Sequence, residues 1–388
     1  MSDPAPVRAE IVVDLGAVRH NVRVLKELVS AQRPVERPVR LMVVVKADGY
    51  GHGMVQVGRA AREAGADWLG VATIDEALAL RAAGDQGPLL CWLSSPLDDL
   101  AAAVAAGVEV TAYSVDELDT IAAVPGPGDG PVRVQLKVDT GLSRGGAPRS
   151  EWEALFAAAH EHERAGRVTV TGVWSHLACS DEPGHPANDA QEGAYRDALR
   201  LADDAGLRPA VTHLANSAAT LLRPSSHFDL VRCGIAAYGL DPAPGVSPDI
   251  GLRPAMTVRA PLLMSKAIAA GDGVSYGHTW HASADTTVGV VPVGYGDGVP
   301  RAAGNAVSVW VDGGVRPVRG RVCMDQLVVE LGGQLPSPGT EVVLFGPGER
   351  GEPTAQDWAG ALDTISYEVV TRIGGRLVRR HVGGEGER

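Results

Sequence analysis

Lys46 ends the apolar run LMVVV at 41–45, and other reactive residues sit at matching places further along the chain. Lys137 and Asp139 close the run 132–138, with Arg144 in the segment beyond. Ser175 and His176 close the run 168–174, and His213, Asn216 and Ser217 close 211–214. Arg232 and Gly234 end the run that starts at 229. Side chains of these types bind anions and move protons. One at a time, each reads as the first solvated residue after a strand, or as a hydrogen-bonded structural histidine. Together they would fall on one face if the runs are parallel strands of one sheet, and chance explains that poorly. Gly49, Gly51, Gly53 and Gly234 permit close backbone approach. Asn216-Ser217 opens the helical stretch SAATLL, where a helix start would present free N–H groups. Phosphate is the ligand these features suggest.

The elements that must position these residues are legible as a repeated pattern. Short β-branched runs recur at 41–45, 68–72, 89–93, 108–112, 132–138, 168–174, 211–214 and 229–232. Helical stretches lie between them, such as Thr73–Gly84 and Ser150–Gly166. Both begin with a Ser or Thr followed three residues later by Glu, a capping-box spacing, and both end at Gly. Alternating strands and helices predict a parallel sheet, and eight such strands predict a (β/α)8 TIM barrel. An open doubly wound sheet is the rival. Beyond Leu240 a Pro- and Gly-rich crossing leads into short strands separated by Gly-rich turns, which predict a C-terminal, mostly antiparallel β domain. The expected division is 12–242 for the barrel and 243–388, with 1–11, for the β domain. The segment 9–14 reads as a strand of either one.

Composition narrows the class. The 388 residues are 45 % hydrophobic and only 4 % aromatic, so an aliphatic core is expected. The net charge of −12 argues against nucleic acid and anionic membranes as partners. No apolar run is long enough for a membrane span. The four cysteines show no zinc spacing and read as free thiols. With no secretory signal at the N-terminus, a cytoplasmic location is expected. HEHER at 160–164 lacks the second histidine of a zinc helix and reads as a solvated helix end, so no metal is expected.

Nine blocks resemble the alanine racemase family, of the type III fold of pyridoxal-phosphate enzymes, in the family's order. They are VVVKADGYGHG, LKVDTGLSRGG, WSHLACSDE, HLANSAATL, VRCGIAAYGL, VSYGHTW, VPVGYGDG, GRVCMDQ and TISYEVV. The resemblance implies pyridoxal 5′-phosphate held by Lys46 as an imine and a head-to-tail homodimer. It implies interconversion of L- and D-alanine by two bases, supplying D-alanine for peptidoglycan. Lys46 would serve one face, and Tyr276 the other from the partner chain. Tyr50, Ser217, Gly234, Ile235 and Tyr367 would hold the phosphate, with Asn216 nearby. Arg232 would face the pyridine nitrogen and Arg144 the phenolic oxygen and substrate, with His176 supporting Tyr276 and Arg232. Lys137 matches a position often carbamylated to fix Arg144. Met324 would touch substrate with Asp325 beside it, and Tyr295, Asp181, Arg301 and Arg321 would line the entrance. The chain departs from the family with Asp48-Gly49, where Asn-Ala is frequent, and with Val299, where an aromatic residue is common.

The implied chemistry suits these residue types. Two bases on opposite faces meet the stereochemical need. A free tyrosine titrates near about 10, so a tyrosine base working near neutrality needs roughly 4 kcal/mol of phenolate stabilisation. A His176–Arg232 network is the expected source of part of it. An arginine at the ring nitrogen donates without surrendering its proton. That leaves the nitrogen unprotonated, the cofactor a weaker electron sink, and transamination less favoured. Relatives of the fold that decarboxylate basic amino acids place a carboxylate there, so Arg232 separates the two activities. A third alternative, a cofactor carrier built on the barrel alone, would lack the β domain and its VSYGHTW and VCMDQ blocks.

Overall fold

The computed structural model describes residues 8–31 and 38–384. The expectation about the N-terminal leader, and the ends of the β-domain assignment at 1–7 and 385–388, lie outside the described residues. The first strand, β1 (Glu10–Asp14), is followed by the barrel strands. These are β2 (Arg40–Val44), β3 (Trp68–Val71), β4 (Leu89–Cys91), β5 (Glu109–Ala112), β6 (Val132–Lys137), β7 (Val168–Trp174), β8 (Val211–His213) and β9 (Leu230–Cys233).

The barrel strands form one eight-stranded parallel sheet in the order β8-β7-β6-β5-β4-β3-β2-β9. Its two ends also meet. Asp229 N donates to Thr212 O at 2.9 Å and Arg232 N to Ala215 O at 3.0 Å. That seam makes the sheet a barrel and removes the doubly wound alternative. The strands are buried on both faces, as parallel strands covered by helices must be. Leu41, Val43, Leu69, Leu90, Val134 and Val173 supply an aliphatic interior.

The two expected capping boxes differ. The helix Ile74–Ala82 has one at Thr73 and Glu76. The second does not form. Arg149–Glu151 is a 3-10 turn entered from Pro148, and the helix proper runs from Trp152 to Arg164 with no side-chain cap. Trp152 sets that start, because its buried indole N–H donates to Ala147 O at 2.8 Å. The HEHER segment is also less solvated than expected. His162 is buried and its Nε2 lies 2.6 Å from Asp119 Oδ1.

The second unit holds β10 (Met256–Pro261), β11 (Met264–Ile268), β12 (Thr286–Val291), β13 (Ser308–Val311), β14 (Gly314–Pro317), β15 (Leu327–Glu330), β16 (Glu341–Phe345) and β17 (Val378–Val382). A six-stranded sheet runs β14-β13-β16-β10-β1-β17 and a three-stranded one β11-β12-β15. All pairs are antiparallel except β1 with β17. All of β1 pairs within this sheet, so no boundary falls inside it at residue 12. Among the described residues, by compactness the barrel unit is 19–31, 38–49 and 54–252, and the second unit takes 8–18, 50–53 and 253–384. Two short helices, Ala355–Ala361 and Ser366–Arg372, also belong to the second unit, which is mostly antiparallel β as expected.

Candidate active site

Lys46 leaves β2 directly into a left-handed turn. Ala47, Asp48 and Tyr50 have φ of 52°, 51° and 53°, and Gly49 lies among them at 63°. Such a run is costly for L-residues with a Cβ and persists only where the surroundings enforce it. Here they do. Ala47 N donates to Glu76 Oε1 at 2.6 Å and Gly49 N to Val45 O at 2.8 Å. Asp48 Oδ1 accepts from Met54 N at 2.9 Å. Glu76 also accepts from Ala72 N, so one carboxylate fastens the lysine turn and the neighbouring helix start together. Lys46 Nζ projects over the Trp92 ring, 5.9 Å from its centroid. Burial, then the Arg144 charge, lower its pKa against the attraction of Glu76, which favours the neutral, nucleophilic amine.

Lys137 ends β6 and is almost fully buried. Its Nζ sits 4.4 Å from the centroid of Trp174 and 5.3 Å from that of Tyr113. Burial first, then Arg232 and Arg144, push its pKa down to about 8. Arg144 lies in the loop after β6, close enough to act as a like charge on Lys46, Lys137 and His176. The mouth of the barrel thus gathers Lys46, Lys137, Arg144 and Arg232, none in an ion pair among the described residues. A site built this way demands an anionic ligand.

Arg232, on β9, is the hub. Its Nη1 donates to His213 Nδ1 at 2.9 Å; its Nη2 reaches Ser175 O at 2.8 Å, Leu214 O at 3.0 Å and His176 Nδ1 at 3.1 Å. Arginine only donates, so both histidines present bare Nδ1 atoms and carry any neutral-state proton on Nε2. Burial drives the pKa of both well below the ordinary value, and Arg232 deepens the shift. Both are neutral near pH 7. Burial also lowers Arg232 itself to about 10, still protonated near neutrality. None of these bonds uses the arginine Nε.

The structure brings together the late-loop residues expected to meet an anion. Asn216 caps the helix Ser217–Leu222 through Oδ1, which accepts from Ala219 N at 3.1 Å. Ser217 Oγ accepts from Gly234 N at 2.9 Å, tying the loop after β8 to the Gly234–Ile235 turn after β9. Asp181 lies exposed in the loop after β7.

The remaining expected residues belong to the second unit. Tyr50 and Tyr367 pack with ring centroids 6.0 Å apart. Tyr276 sits on a tight turn and is 71 % exposed. The preceding Ser275, at φ 62°, anchors that turn through Oγ, which donates to Arg321 O at 2.6 Å. Tyr295 N donates to Cys323 O at 3.0 Å and Gly296 N to Met324 O at 2.9 Å. So Tyr276, Tyr295 and Met324 all hang from the segment 321–325, and all three are exposed. Arg301 and Arg321 are exposed as well, and Asp325 accepts from Arg376 Nη1 at 2.6 Å.

Some residues of the site were not singled out from sequence. His213 was noted at a strand end but given no role; Trp174 was read only as part of a strand. Trp174 stacks on His213 at 5.5 Å and 7°, and it also lies beneath Lys137 and Arg232. A tryptophan at a barrel strand's C-terminal end, next to the Ser-His pair, was the available signal.

Fold and site define a two-domain barrel protein with a strand-end lysine and a cationic mouth. The chain matches the alanine racemase N-terminal domain over residues 13–242 and the alanine racemase C-terminal domain over 255–381. It is 51 % identical to an alanine racemase of Salinispora arenicola, covering 97 % of this chain and 99 % of that one. A crystal structure of alanine racemase from Streptomyces lavendulae superposes with a TM-score of 0.94 at 48 % identity, covering 98 % of each chain. One from Bartonella henselae, with covalently bound pyridoxal phosphate, superposes at 0.84 and 27 % identity over 97 % of this chain and all of that one (100 %). The chain belongs to the alanine racemase family, and the two-domain fold expected from its sequence is the one observed.

Proposed function

We propose that the chain interconverts L- and D-alanine with pyridoxal 5′-phosphate as resident cofactor, working as a homodimer with shared sites. Arg232 carries this reading. It is a buried guanidinium held only by neutral acceptors, with Nε left to donate. Facing a pyridine nitrogen, it keeps that nitrogen unprotonated and moderates electron withdrawal, which suits reversible proton removal better than decarboxylation. The residues present fit the cofactor: a nucleophilic lysine for its carbonyl, Arg232 for its ring nitrogen, Arg144 for its phenolic oxygen, and a serine-and-backbone cradle at the late loops for its phosphate.

The bound cofactor supplies the electron sink that acidifies the α-proton of the amino acid. Lys46 Nζ attaches it and moves the proton on one face. Tyr276 of the partner subunit holds the proton on the other, with His176 supporting it and Arg232. Ser217, Gly234, Ile235, Tyr50 and Tyr367 secure the phosphate, with Asn216 beside them. Arg144 binds the phenolic oxygen and the substrate carboxylate. Lys137, its pKa lowered to about 8, keeps enough neutral amine to take up carbon dioxide. The carbamate so formed is the anion that fixes Arg144. Met324, with Asp325 beside it, touches substrate, and Tyr295, Asp181, Arg301 and Arg321 shape the entrance.

We place this activity in the cytoplasm, in the supply of D-alanine for peptidoglycan. The free thiols support that location, as does the absence, among the described residues, of a helix long and apolar enough to cross a membrane. A racemisation assay across alanine, serine and basic amino acids tests the reading. Rapid exchange with alanine is expected; carbon dioxide release from ornithine, lysine or arginine would overturn it.

A further inference from the structure

Arg232 is buried without a carboxylate beside it, an expensive position for a guanidinium. A carboxylate does stand behind it, two side chains away through the barrel interior. Glu109, on β5, is almost completely buried and accepts from Arg133 Nε at 3.1 Å and Gln135 Nε2 at 2.7 Å, with Arg133 Nη2 and Thr171 Oγ1 also donating to it. Gln135 must therefore turn its amide nitrogen to Glu109 and its oxygen the other way. That oxygen lies 2.7 Å from His213 Nε2. His213 then donates from Nε2 and accepts from Arg232 at Nδ1, so every orientation from Glu109 to Arg232 is fixed by the one before it.

The fold makes room for this chain. A Cβ on Gly172 of β7 would lie 2.7 Å from the Gln135 carboxamide, and the pairing register of β6 with β7 shifts between Val134 and Gln135. Trp174 stacks flat on His213 and prevents it from turning.

We propose that Glu109, Gln135 and His213 form a positioning relay through the barrel that holds Arg232 as a donor toward the cofactor's ring nitrogen. The proposal rests on the reading of Arg232 given above. Glu109, itself ion-paired with Arg133, anchors the Gln135 amide; Gln135 fixes the His213 tautomer, and His213 presents a firm acceptor for Nη1. Arg232 is thereby held and aimed.

The test compares apoprotein affinity for pyridoxal 5′-phosphate and for its analogue with CH in place of the ring nitrogen. The wild-type protein should favour the natural cofactor by about 10- to 100-fold, as expected of a hydrogen bond from a charged donor. Gln135→Leu, which breaks the relay, should narrow that ratio by on the order of threefold to tenfold. Glu109→Gln keeps the shape and an acceptor but not the charge, and should narrow it less. If both variants weaken the two ligands equally, the relay is only structural and the proposal fails. A wild-type protein that binds both ligands alike would instead overturn the placement of Arg232 at the ring nitrogen.

Discussion

The barrel mouth and the loops of the second unit carry the expected catalytic residues in opposite states. At the mouth, Lys137, His176, His213 and Arg232 are enclosed, and burial shifts all of them away from their ordinary ionisation. On the 275–277 and 321–325 segments, Tyr276 and Met324 stand 71 % and 54 % exposed on firmly bonded turns. One region has its chemistry tuned within the chain; in the proposed dimer the other would take its environment from a second copy.

The largest expected effect breaks the tuned half. Lys46→Ala should lose activity by about 10³-fold or more and lose visible cofactor absorption with it, both read on the purified protein. Normal racemisation in that variant would remove Lys46 from the chemistry. Tyr276→Phe should cost racemisation on the order of 10²- to 10⁴-fold, equally in both directions as an equilibrium constant of one requires, while impairing α-proton exchange from one face more than from the other. Deuterium incorporation from solvent into each alanine enantiomer measures the asymmetry; equal loss would contradict two bases on two faces.

A smaller effect concerns Lys137. Its lowered pKa means the folded state resists protonation. That cost is fully present below about 8 and disappears as pH rises toward the unfolded value of about 10.4. Compared in carbon-dioxide-free buffer, where Lys137 stays a free amine, Lys137→Met should therefore flatten the gain in stability that denaturant unfolding reports between those pH values. A gain of the same size in both proteins would mean Lys137 is not the source. The smallest effect is at the lysine turn. Ala47→Gly should stabilise by up to about 1 kcal/mol in thermal unfolding, since glycine accepts a φ of 52° at little cost. Destabilisation would show that the turn is not strained there.

How much was legible in the sequence follows the same division. The barrel announced itself because each strand is a short continuous apolar run, and parallel order then brings every strand end to one face. Lys46, Lys137, His176, Ser217 and Arg232 could be gathered by that rule alone. The relay behind Arg232 was not visible, since Glu109 and Gln135 sit inside strand runs where alternation does not say which way they point. The missing cap at Ser150 depended on Trp152 finding Ala147, a tertiary contact. The roles proposed for Tyr276 and Met324 came only from family resemblance, because nothing local marks a loop residue as one that would act in another chain.

Mixing two inactive variants tests the central claim most directly. Lys46→Ala and Tyr276→Phe homodimers each lack one component in both sites, but a mixed dimer places both lesions in one site and leaves the other whole. After subunit exchange at equal concentrations, activity should return to about a quarter of wild type, because half the dimers are mixed and each has one intact site. If exchange is shown to occur and no activity returns, Lys46 and Tyr276 do not meet across two chains.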